Sequence, residues 1–213
     1  MIFAVYKPRG ISSYDVIRKL KMEYPRRTKI GHGGTLDPLA EGVLVVGVGR
    51  ESTKKLQAVL KDSTKEYIAG IELGRTSETD DAEGPLHITE QLPPEPTKQD
   101  IAHVLQSFVG KIEQTPPKYS AIKIAGMAAY KRARLGEELH LQPKSVYIHA
   151  LEILDYTYPV LEIRVECGSG VYIRSLARDI GTTLGTGAYL IKLVRTRVGE
   201  FTIEGNMEGT SKD

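Results

Sequence analysis

The chain has 213 residues, of which 40% are hydrophobic and 26% charged, and its formal net charge is +2. This composition fits one or at most two compact domains with a real core and excludes a disordered protein. No apolar run approaches the ~20 residues needed to cross a bilayer. The start, MIFAVYKPRG, lacks the charged-then-apolar layout of a signal peptide.

The cysteine and histidine content indicates which cellular compartment the protein occupies and whether a metal site is expected. The single cysteine, Cys167, excludes an internal disulfide and fits a reducing compartment. The five histidines show no close pairing with one another or with the cysteine, so we expect no metal site. We therefore expect a soluble cytoplasmic protein that does not bind membranes.

Charge is segregated along the chain. Residues 1–61 hold 12 Lys+Arg against 5 Asp+Glu, whereas residues 62–113 hold 4 against 11. Residues 114–134 carry five cations and no acid: Lys118, Lys123, Lys131, Arg132 and Arg134. One such run usually solvates a helix face. Two separate basic blocks favour a positive surface that binds a polyanion.

The first quarter of the chain is typical of strand, helix, glycine loop and strand. Residues 2–6 predict a strand, and Ser12 or Ser13 caps a helix that follows. Residues 31–34 predict a glycine loop, and the apolar run Val43–Val48 predicts a buried strand. The inward face of the helix is expected to carry Val16, Ile17, Leu20 and Tyr24.

The next stretch predicts a helix, a strand and a long loop. Ser52 or Thr53 caps a short helix that runs through Leu60. KEYIAGIEL alternates as a strand does, and the acidic, turn-rich stretch from Gly74 to Pro96 predicts a loop. The inward face of the strand is expected to carry Tyr67, Ala69, Ile71 and Leu73.

The middle of the chain predicts two helices around a rigid turn. Thr97 opens an amphipathic helix that Gly110 stops. TPPKYSAIKIAG predicts a turn followed by a short strand, and Met127–Leu135 predicts a small basic helix. The inward positions of the first helix are Ile101, Val104, Leu105 and Phe108.

The last third predicts two strands and a helix. The strands are expected at about 145–157 and 160–167, and glycines separate the second from the helix. Strands and helices alternate here without a regular strand-helix-strand rhythm, which predicts an α+β fold with a mixed or antiparallel sheet flanked by helices. The inward face of the helix is expected to carry Ile173, Leu176, Ala177 and Ile180.

Asp37 is a candidate reactive residue, because it stands between a glycine run and a proline in GHGGTLDPLAEGVL. Taken alone, an Asp before Pro is most often a turn-maker whose side chain bonds nearby backbone N–H groups. A phosphate loop is excluded, since the segment lacks the terminal Gly-Lys-Ser/Thr of a P-loop and no dinucleotide fingerprint follows a strand.

Five motifs occur in the order seen in TruB-type tRNA pseudouridine synthases. They are KPRGISS (7–13), GHGGTLDPLAEGVL (31–44), KEY (65–67), PPKYSAIK (116–123) and CGSGVYIRSLARDIG (167–181). The chain resembles that family over about residues 2–203. The resemblance implies a pseudouridine synthase fold and isomerisation of the T-loop uridine of tRNA, position 55. It also implies that no cofactor is required.

The resemblance makes Asp37 the essential catalytic residue. An acid presented on a loop can act as a nucleophile and split one hard step into easier ones. Attack on the base, attack on the sugar and assistance by proton transfer remain open. A reacting carboxylate must stay ionised, which a guanidinium neighbour favours. In the family that neighbour is the Arg of YIR, here Arg174, which without the motif would be taken for a surface arginine.

The resemblance assigns further residues to the substrate. Tyr67 stacks on the flipped uracil, although its place on an apolar face is equally typical of a core residue. His32 fills the space that the flipped base leaves in the RNA, although a lone histidine is more often structural. The remaining assignments are Leu193 as a wall of the base pocket, Lys7 and Pro8 as braces, and Asp81 and Arg195 as organisers of the site.

The basic block of Lys118, Lys123, Lys131, Arg132 and Arg134 corresponds to the family's insertion that closes over the T-arm, at about residues 114–137. Phosphate contacts there would give affinity and a steep salt dependence. Many relatives continue into an RNA-binding PUA domain, whereas this chain stops soon after RTRVGEFTI. We therefore expect a single catalytic domain over 1–213 without a PUA domain, acting as a monomer on tRNA.

Two positions depart from the bacterial pattern. Gly33 stands where bacterial members usually carry Thr, and Glu41 stands where a small hydroxyl residue is common, so the GHGG form resembles eukaryotic-type relatives. Two other functions are kept open: a guide-RNA-dependent synthase of the dyskerin type, and a tRNA-binding or tRNA-folding protein without turnover.

Overall fold

The computed structural model describes residues 1–88, 95–120, 122–124 and 126–202. The helices are α1 (Ser13–Leu20), α2 (Arg50–Leu60), α3 (Lys98–Ser107), α4 (Ala129–Arg134) and α5 (Ile173–Thr183). The strands are β1 (Ile2–Lys7), β2 (Ile30–Gly33), β3 (Ala40–Val48), β4 (Lys65–Leu73), β5 (Arg75–Ser77), β6 (Leu86–Ile88), β7 (Gly110–Gln114), β8 (Lys123–Ile124), β9 (Met127–Ala128), β10 (Lys144–Thr157), β11 (Val160–Cys167), β12 (Ala188–Val198) and β13 (Phe201–Thr202). The predicted α+β class is confirmed.

Among the described residues, nine strands form one sheet, in the hydrogen-bonded order β1-β3-β12-β4-β11-β10-β7, with β2 paired to β3 and β13 to β12. β3 is antiparallel to β1 and β2 but parallel to β12, so the sheet is mixed. Within the described part of the chain, no helix is long and apolar enough to span a bilayer.

The chain forms two compact units. The first unit comprises Met1–Ile68, Arg164–Ser169 and the stretch that begins at Lys192, and the second comprises Ala69–Ile163 and Gly170–Ile191.

The core of the first unit is built on both faces of β3. Val43 and Val45 pack with α2, whereas Leu44 and Val46 pack with α1, and all four are at most 1% exposed. A strand that is covered on both faces needs apolar side chains at successive positions, which explains the run Val43–Val48.

Helix α1 begins as predicted. Ser12 is its N-cap and forms a capping box with Asp15, which satisfies two backbone N–H groups at the helix start. Val16 and Ile17 are buried, and Leu20 and Tyr24 pack against the same cluster. The predicted inward face is confirmed.

The glycine run contradicts the predicted loop over 31–34, because Gly31–Gly33 lies in β2 and pairs with β3. A Cβ at Gly33 would overlap the side chain of Leu60. Gly33 thus lets the Leu60 side chain of α2 pack closely against β2, and within the glycine run Gly34, with φ of 66°, makes the turn.

Helix α2 begins earlier than predicted. Its N-cap is Gly49, with φ of 93°, and no side chain caps it. Ser52 lies in the first turn, where its hydroxyl binds the N-terminal amino group. Thr53 donates to the carbonyl of Arg50, so neither predicted cap serves as one.

Gly42→Ala is expected to destabilise the first unit by about 3 kcal/mol or more. Gly42 has φ of 108°, and a Cβ there would overlap the backbone oxygen of Arg195 on the paired strand. Urea unfolding measures the effect. Gly110→Ala is the matched control, since Gly110 has φ of 104° and open space around its Cα. Equal losses in the two variants would show that backbone conformation, and not the close strand contact, requires Gly42.

The second unit contains strands that are not predicted, because their sequences are rich in turn-forming residues. Residues Arg75–Ser77 and Leu86–Ile88 pair as an antiparallel hairpin, so the predicted loop over 74–96 is wrong for these residues; residues 89–94 lie outside the described part. β7 is an additional strand that the sequence pattern does not predict. The predicted basic helix over Met127–Leu135 is shorter in the structure, at Ala129–Arg134, because Met127–Ala128 forms a strand.

The predicted helices α3 and α5 are confirmed. Thr97 forms a capping box with Asp100 at the start of α3, where Ile101 and Leu105 are buried and Val104 and Phe108 are partly buried. The inward face of α5 is buried as predicted, at Ile173, Leu176, Ala177 and Ile180. The inward positions of β4 are also buried as predicted, at Tyr67, Ala69, Ile71 and Leu73.

Candidate active site

Asp37 lies on a short loop between β2 and β3 whose backbone is fixed from outside. The hydroxyl of Ser13 accepts from the Leu36 amide and donates to the Leu36 carbonyl, both at 2.9 Å. The Gly10 amide donates to the Pro38 carbonyl at 2.8 Å. The loop is thus bonded immediately before and after Asp37, whose side chain is only partly buried. This arrangement holds the backbone that carries the carboxylate in a fixed position.

Lys7 and Leu193 lie at the end of the same loop. Lys7 is 0% exposed, and its ammonium donates to the Ala40 carbonyl at 2.6 Å and to the Pro8 carbonyl at 2.9 Å. Leu193 is 8% exposed and pairs with Ala40 across β12 and β3. The structure therefore brings the predicted brace and the predicted pocket wall to Ala40, three residues after Asp37.

Arg195 connects the loop to the sheet. It is 1% exposed, and its guanidinium donates to the Gly34 carbonyl at 2.7 Å and to the Val43 carbonyl at 2.8 Å. Both acceptors are backbone groups that flank the Asp37 loop. Val43 is buried, so its carbonyl needs such a donor, whereas Gly34 is exposed. Through the two bonds Arg195 connects the start of the loop to β3.

Tyr67 lies beside Arg195 and Asp37. Its side chain is buried, and burial is the main cause that raises the pKa of its phenol. The positive charge of Arg195 lowers the pKa, whereas Cys167 and the Asp37 carboxylate raise it. The phenol is therefore neutral at physiological pH. Asp37, Tyr67 and Arg195 form one cluster in the first unit.

His32 lies on β2 opposite Val46 and is partly buried. Burial, followed by the charge of Arg195, lowers the pKa of its imidazole, so the ring is neutral at pH 7. Its Nδ1 is buried without a hydrogen-bond partner among the described residues. A buried polar atom without a partner costs free energy, which makes His32 a candidate for contact with a ligand.

Arg174 and Asp81 meet in the second unit. Arg174 is 6% exposed and donates to the carbonyls of Thr79 and Tyr119 at 3.1 and 3.0 Å. Its Nη1 lies 3.4 Å from a carboxylate oxygen of Asp81, which is 2% exposed. Arg174 is thus a buried group and not a surface arginine. Its pairing with Asp37 stays a prediction.

Arg174→Lys is expected to lower kcat/KM roughly 100-fold, because an ammonium cannot reproduce the planar fork that reaches several acceptors at once. Initial rates on tRNA measure this effect. Arg75→Lys is the matched control, since Arg75 is half-exposed and forms a 3.6 Å ion pair with Glu72. Wild-type rates in Arg174→Lys would refute a role for the fork.

The predicted RNA-contacting cations fall on the segment from Lys118 to Arg134. Lys118 and Lys131 are exposed, whereas Arg132 is partly buried and pairs with Glu137 at 2.7 Å. Lys123 lies in β8 and Arg134 in α4. Their roles stay predictions, and Lys118 and Lys131 are the exposed charges most suited to phosphates.

Sequence reasoning misses Ser13 as a positioning residue, because its only expected role is to cap a helix. It also misses Lys65, whose ammonium donates to the Ser169 hydroxyl at 3.0 Å and whose pKa is lowered by burial. Near it, burial raises the pKa of Cys167 to about 12, so that thiol is inert. Ser13 lies in KPRGISS and Lys65 in KEY, so the motifs are the available signal.

Comparisons with known proteins identify the family. Residues 18–173 match the model of the TruB family pseudouridylate synthase N-terminal domain, and residues 174–210 match the tRNA pseudouridylate synthase B C-terminal domain. The chain is 45% identical over 206 residues to tRNA pseudouridine synthase B of Parabacteroides distasonis, covering 93% of this chain and 85% of the relative. It is 43% identical to the protein of that name from Dehalococcoides mccartyi, and the match covers 97% of this chain and 68% of the relative.

Among solved structures, a chain in the crystal structure of a Cbf5-Nop10-Gar1 complex is similar, with a TM-score of 0.71 and 30% identity. The similarity covers 94% of this chain and 49% of that one, so this chain spans about half the length of its structural relative.

Proposed function

Because the chain belongs to the TruB family of pseudouridine synthases, we propose that it isomerises a uridine of tRNA to pseudouridine. The observation that carries the proposal is the cluster of a rigidly held, partly exposed Asp37 with buried Tyr67 and Arg195. The expected substrate is the T-loop uridine at position 55.

The reaction breaks the bond from N1 of uracil to C1′ of ribose, turns the base, and joins C5 to C1′. One proton leaves C5 and N1 gains one, so substrate and product have the same composition. The reaction itself therefore needs no oxidant, reductant or group donor. Asp37 supplies the reactive carboxylate. Tyr67, whose phenol is neutral, supplies an aromatic face for the extruded uracil.

The target base must leave its stack before it reaches Asp37, at a cost of a few kcal/mol. His32 is suited to the vacated space, since its neutral ring is partly exposed and its Nδ1 lacks a protein partner among the described residues. We expect the bound RNA to supply the missing partner of His32.

The test is an assay of the purified protein alone on a T-arm minihelix labelled with tritium at C5 of its uridines, followed by mapping of the modified position. We expect release of one tritium equivalent and pseudouridine at the T-loop position. A minihelix with cytidine at that position is the control. Turnover only after a guide RNA is added would favour the dyskerin-type alternative. Tight binding without release would favour a tRNA-binding protein.

The basic segment is expected to bind RNA phosphates. Replacing Lys131, Arg132 and Arg134 by Gln should reduce the slope of log Kd against log salt by about one unit for each phosphate that is no longer neutralised. Because Arg132 already pairs with Glu137, we expect a reduction of less than three units. The matched control replaces three exposed cations outside the segment, Lys98, Lys111 and Lys144. An unchanged slope in the segment variant would contradict phosphate binding by the segment.

The monomeric state, the cytoplasmic location and the eukaryotic-like subfamily indicated by Gly33 and Glu41 stay predictions.

A further inference from the structure

The outer face of α1 combines an exposed aromatic ring with two cations. Tyr14 is 57% exposed, and the guanidinium of Arg18 and the ammonium of Lys21 lie 5.9 and 5.8 Å from the centre of its ring. These positions are spaced i, i+4 and i+7, so they share one side of the helix, while Val16 and Ile17 are buried. We call Tyr14, Arg18 and Lys21 the α1 cationic face.

The charge around this face is strongly positive. Residues 13–29 contain six Lys+Arg and two Asp+Glu. One of the two acids, Asp15, is already engaged by the amide and hydroxyl of Ser12 in the capping box. Asp15 approaches Arg18 at 3.0 Å, but the Arg18 side chain is still 71% exposed. Further cations in the same stretch are exposed: Lys19, Arg26, Arg27 and Lys29.

The first turn of α1 is bonded directly to the reactive loop. The Ser13 hydroxyl holds both backbone groups of Leu36, the residue before Asp37. Tyr14 follows Ser13, and the eight residues of α1 span only about 12 Å. The α1 cationic face therefore lies close to the loop that carries Asp37, within the same unit.

We propose that the α1 cationic face binds backbone phosphates of the substrate RNA next to the reacting nucleotide. This inference rests on the proposed function, because that function identifies the bound polyanion as tRNA. Arg18 and Lys21 supply the charge, and the Tyr14 ring holds both side chains near one another, which reduces the side-chain freedom lost on binding. Contacts to phosphate fix the register of the RNA on the protein without reading its sequence.

This surface belongs to the first unit, whereas the basic segment at 118–134 belongs to the second. The alternative is that these charged side chains only keep the exposed side of α1 hydrated and bind no ligand. Solvation alone does not explain an exposed tyrosine between two cations. A protein with an acidic surface would also be attracted, but the bond from α1 to the Asp37 loop favours the molecule on which Asp37 acts.

The experiment measures Kd for a T-arm minihelix over a range of KCl concentrations, together with kcat and KM on tRNA. In Arg18→Gln/Lys21→Gln we expect affinity at ~0.1 M salt to fall about tenfold, and the slope of log Kd against log salt to fall by about 1.5 units. KM should rise while kcat stays within about twofold. The matched control, Lys98→Gln/Lys111→Gln, removes two exposed cations of the acidic stretch and should match wild type.

Tyr14 provides an independent comparison. Tyr14→Phe keeps the ring and should bind as wild type does, whereas Tyr14→Leu should weaken binding about threefold, because leucine offers no aromatic face to the two cations. Thermal unfolding checks that each variant folds.

Wild-type affinity and slope in Arg18→Gln/Lys21→Gln would overturn the proposal, as would an equal loss in the control. Binding is measured independently of turnover, so a wild-type protein that binds the minihelix through this face but releases no tritium would contradict the proposed function and leave this inference standing. Recruitment of an acidic protein by the face, with unchanged RNA affinity, would also overturn it.

Discussion

Asp37→Asn is expected to lower turnover of tRNA roughly 10⁴-fold, the scale on which an essential carboxylate contributes in other enzymes. An amide has nearly the same size as a carboxylate but is neither a nucleophile nor a base. The loop should keep its shape, because it is held through the backbone at Leu36 and Pro38 and not through the side chain of Asp37 alone. Affinity for tRNA should therefore stay within about threefold.

Tritium release and filter binding with one protein preparation separate these two effects. Asp62→Asn is the matched control, since Asp62 is an exposed acid of the same unit and should turn over at the wild-type rate. Turnover by Asp37→Asn within tenfold of wild type would falsify the catalytic assignment. Loss of affinity in parallel with turnover would instead assign Asp37 to RNA binding.

Arg195→Met is expected to destabilise the protein by about 2–4 kcal/mol and to lower kcat at least tenfold at temperatures where it is fully folded. Methionine fills part of the space but donates no hydrogen bond, so the carbonyls of Gly34 and Val43 lose their guanidinium donor. The Val43 carbonyl becomes an orphaned buried acceptor, which costs ~1–3 kcal/mol, whereas water can replace part of the bond to the exposed Gly34. The kcat effect follows because Gly34 and Val43 stand on either side of the Asp37 loop, and loop position sets the approach of the carboxylate.

Arg197→Met is the control for this prediction. Arg197 lies on the same strand but is 31% exposed and pairs with Glu166 at 3.1 Å and Glu66 at 3.7 Å. Partly exposed ion pairs contribute little, so we expect about 1 kcal/mol or less. Urea unfolding and single-turnover rates measure both variants. If Arg195→Met lost stability but kept kcat, Arg195 would support the fold without positioning the loop.

Local patterns predict the regular elements well where one strong signal decides them. The capping serine before α1, the alternation of KEYIAGIEL and the 3.6-residue period around Ile173 each predict an element and its buried face, and the structure confirms all three. These signals are local, because the backbone period and the capping hydrogen bond depend on residues a few positions apart.

Other elements escape prediction because distant residues decide them. Gly31–Gly33 has the composition of a loop, yet β3 and α2 hold it as a strand. The hairpin of β5 and β6 also has the composition of a loop, and each of its strands is fixed by the other. Glycine and turn residues signal only that the backbone is permissive, and the partner strand determines which conformation it takes.

The order of amino acids is enough to specify the α+β class, the faces of the main helices and strands, and, through five motifs, the family. The same motifs predict Asp37 as the reactive acid. Only the folded structure decides through which atoms the loop is held: Ser13, Lys7 and Arg195 come from distant segments and reach it through backbone acceptors, and the sequence does not predict this role for Ser13. Every residue type carries a backbone carbonyl, so the partner of that carbonyl leaves no trace in the sequence around it. The chemistry of a side chain is therefore a local property, whereas its positioning depends on contacts that exist only once the chain is folded.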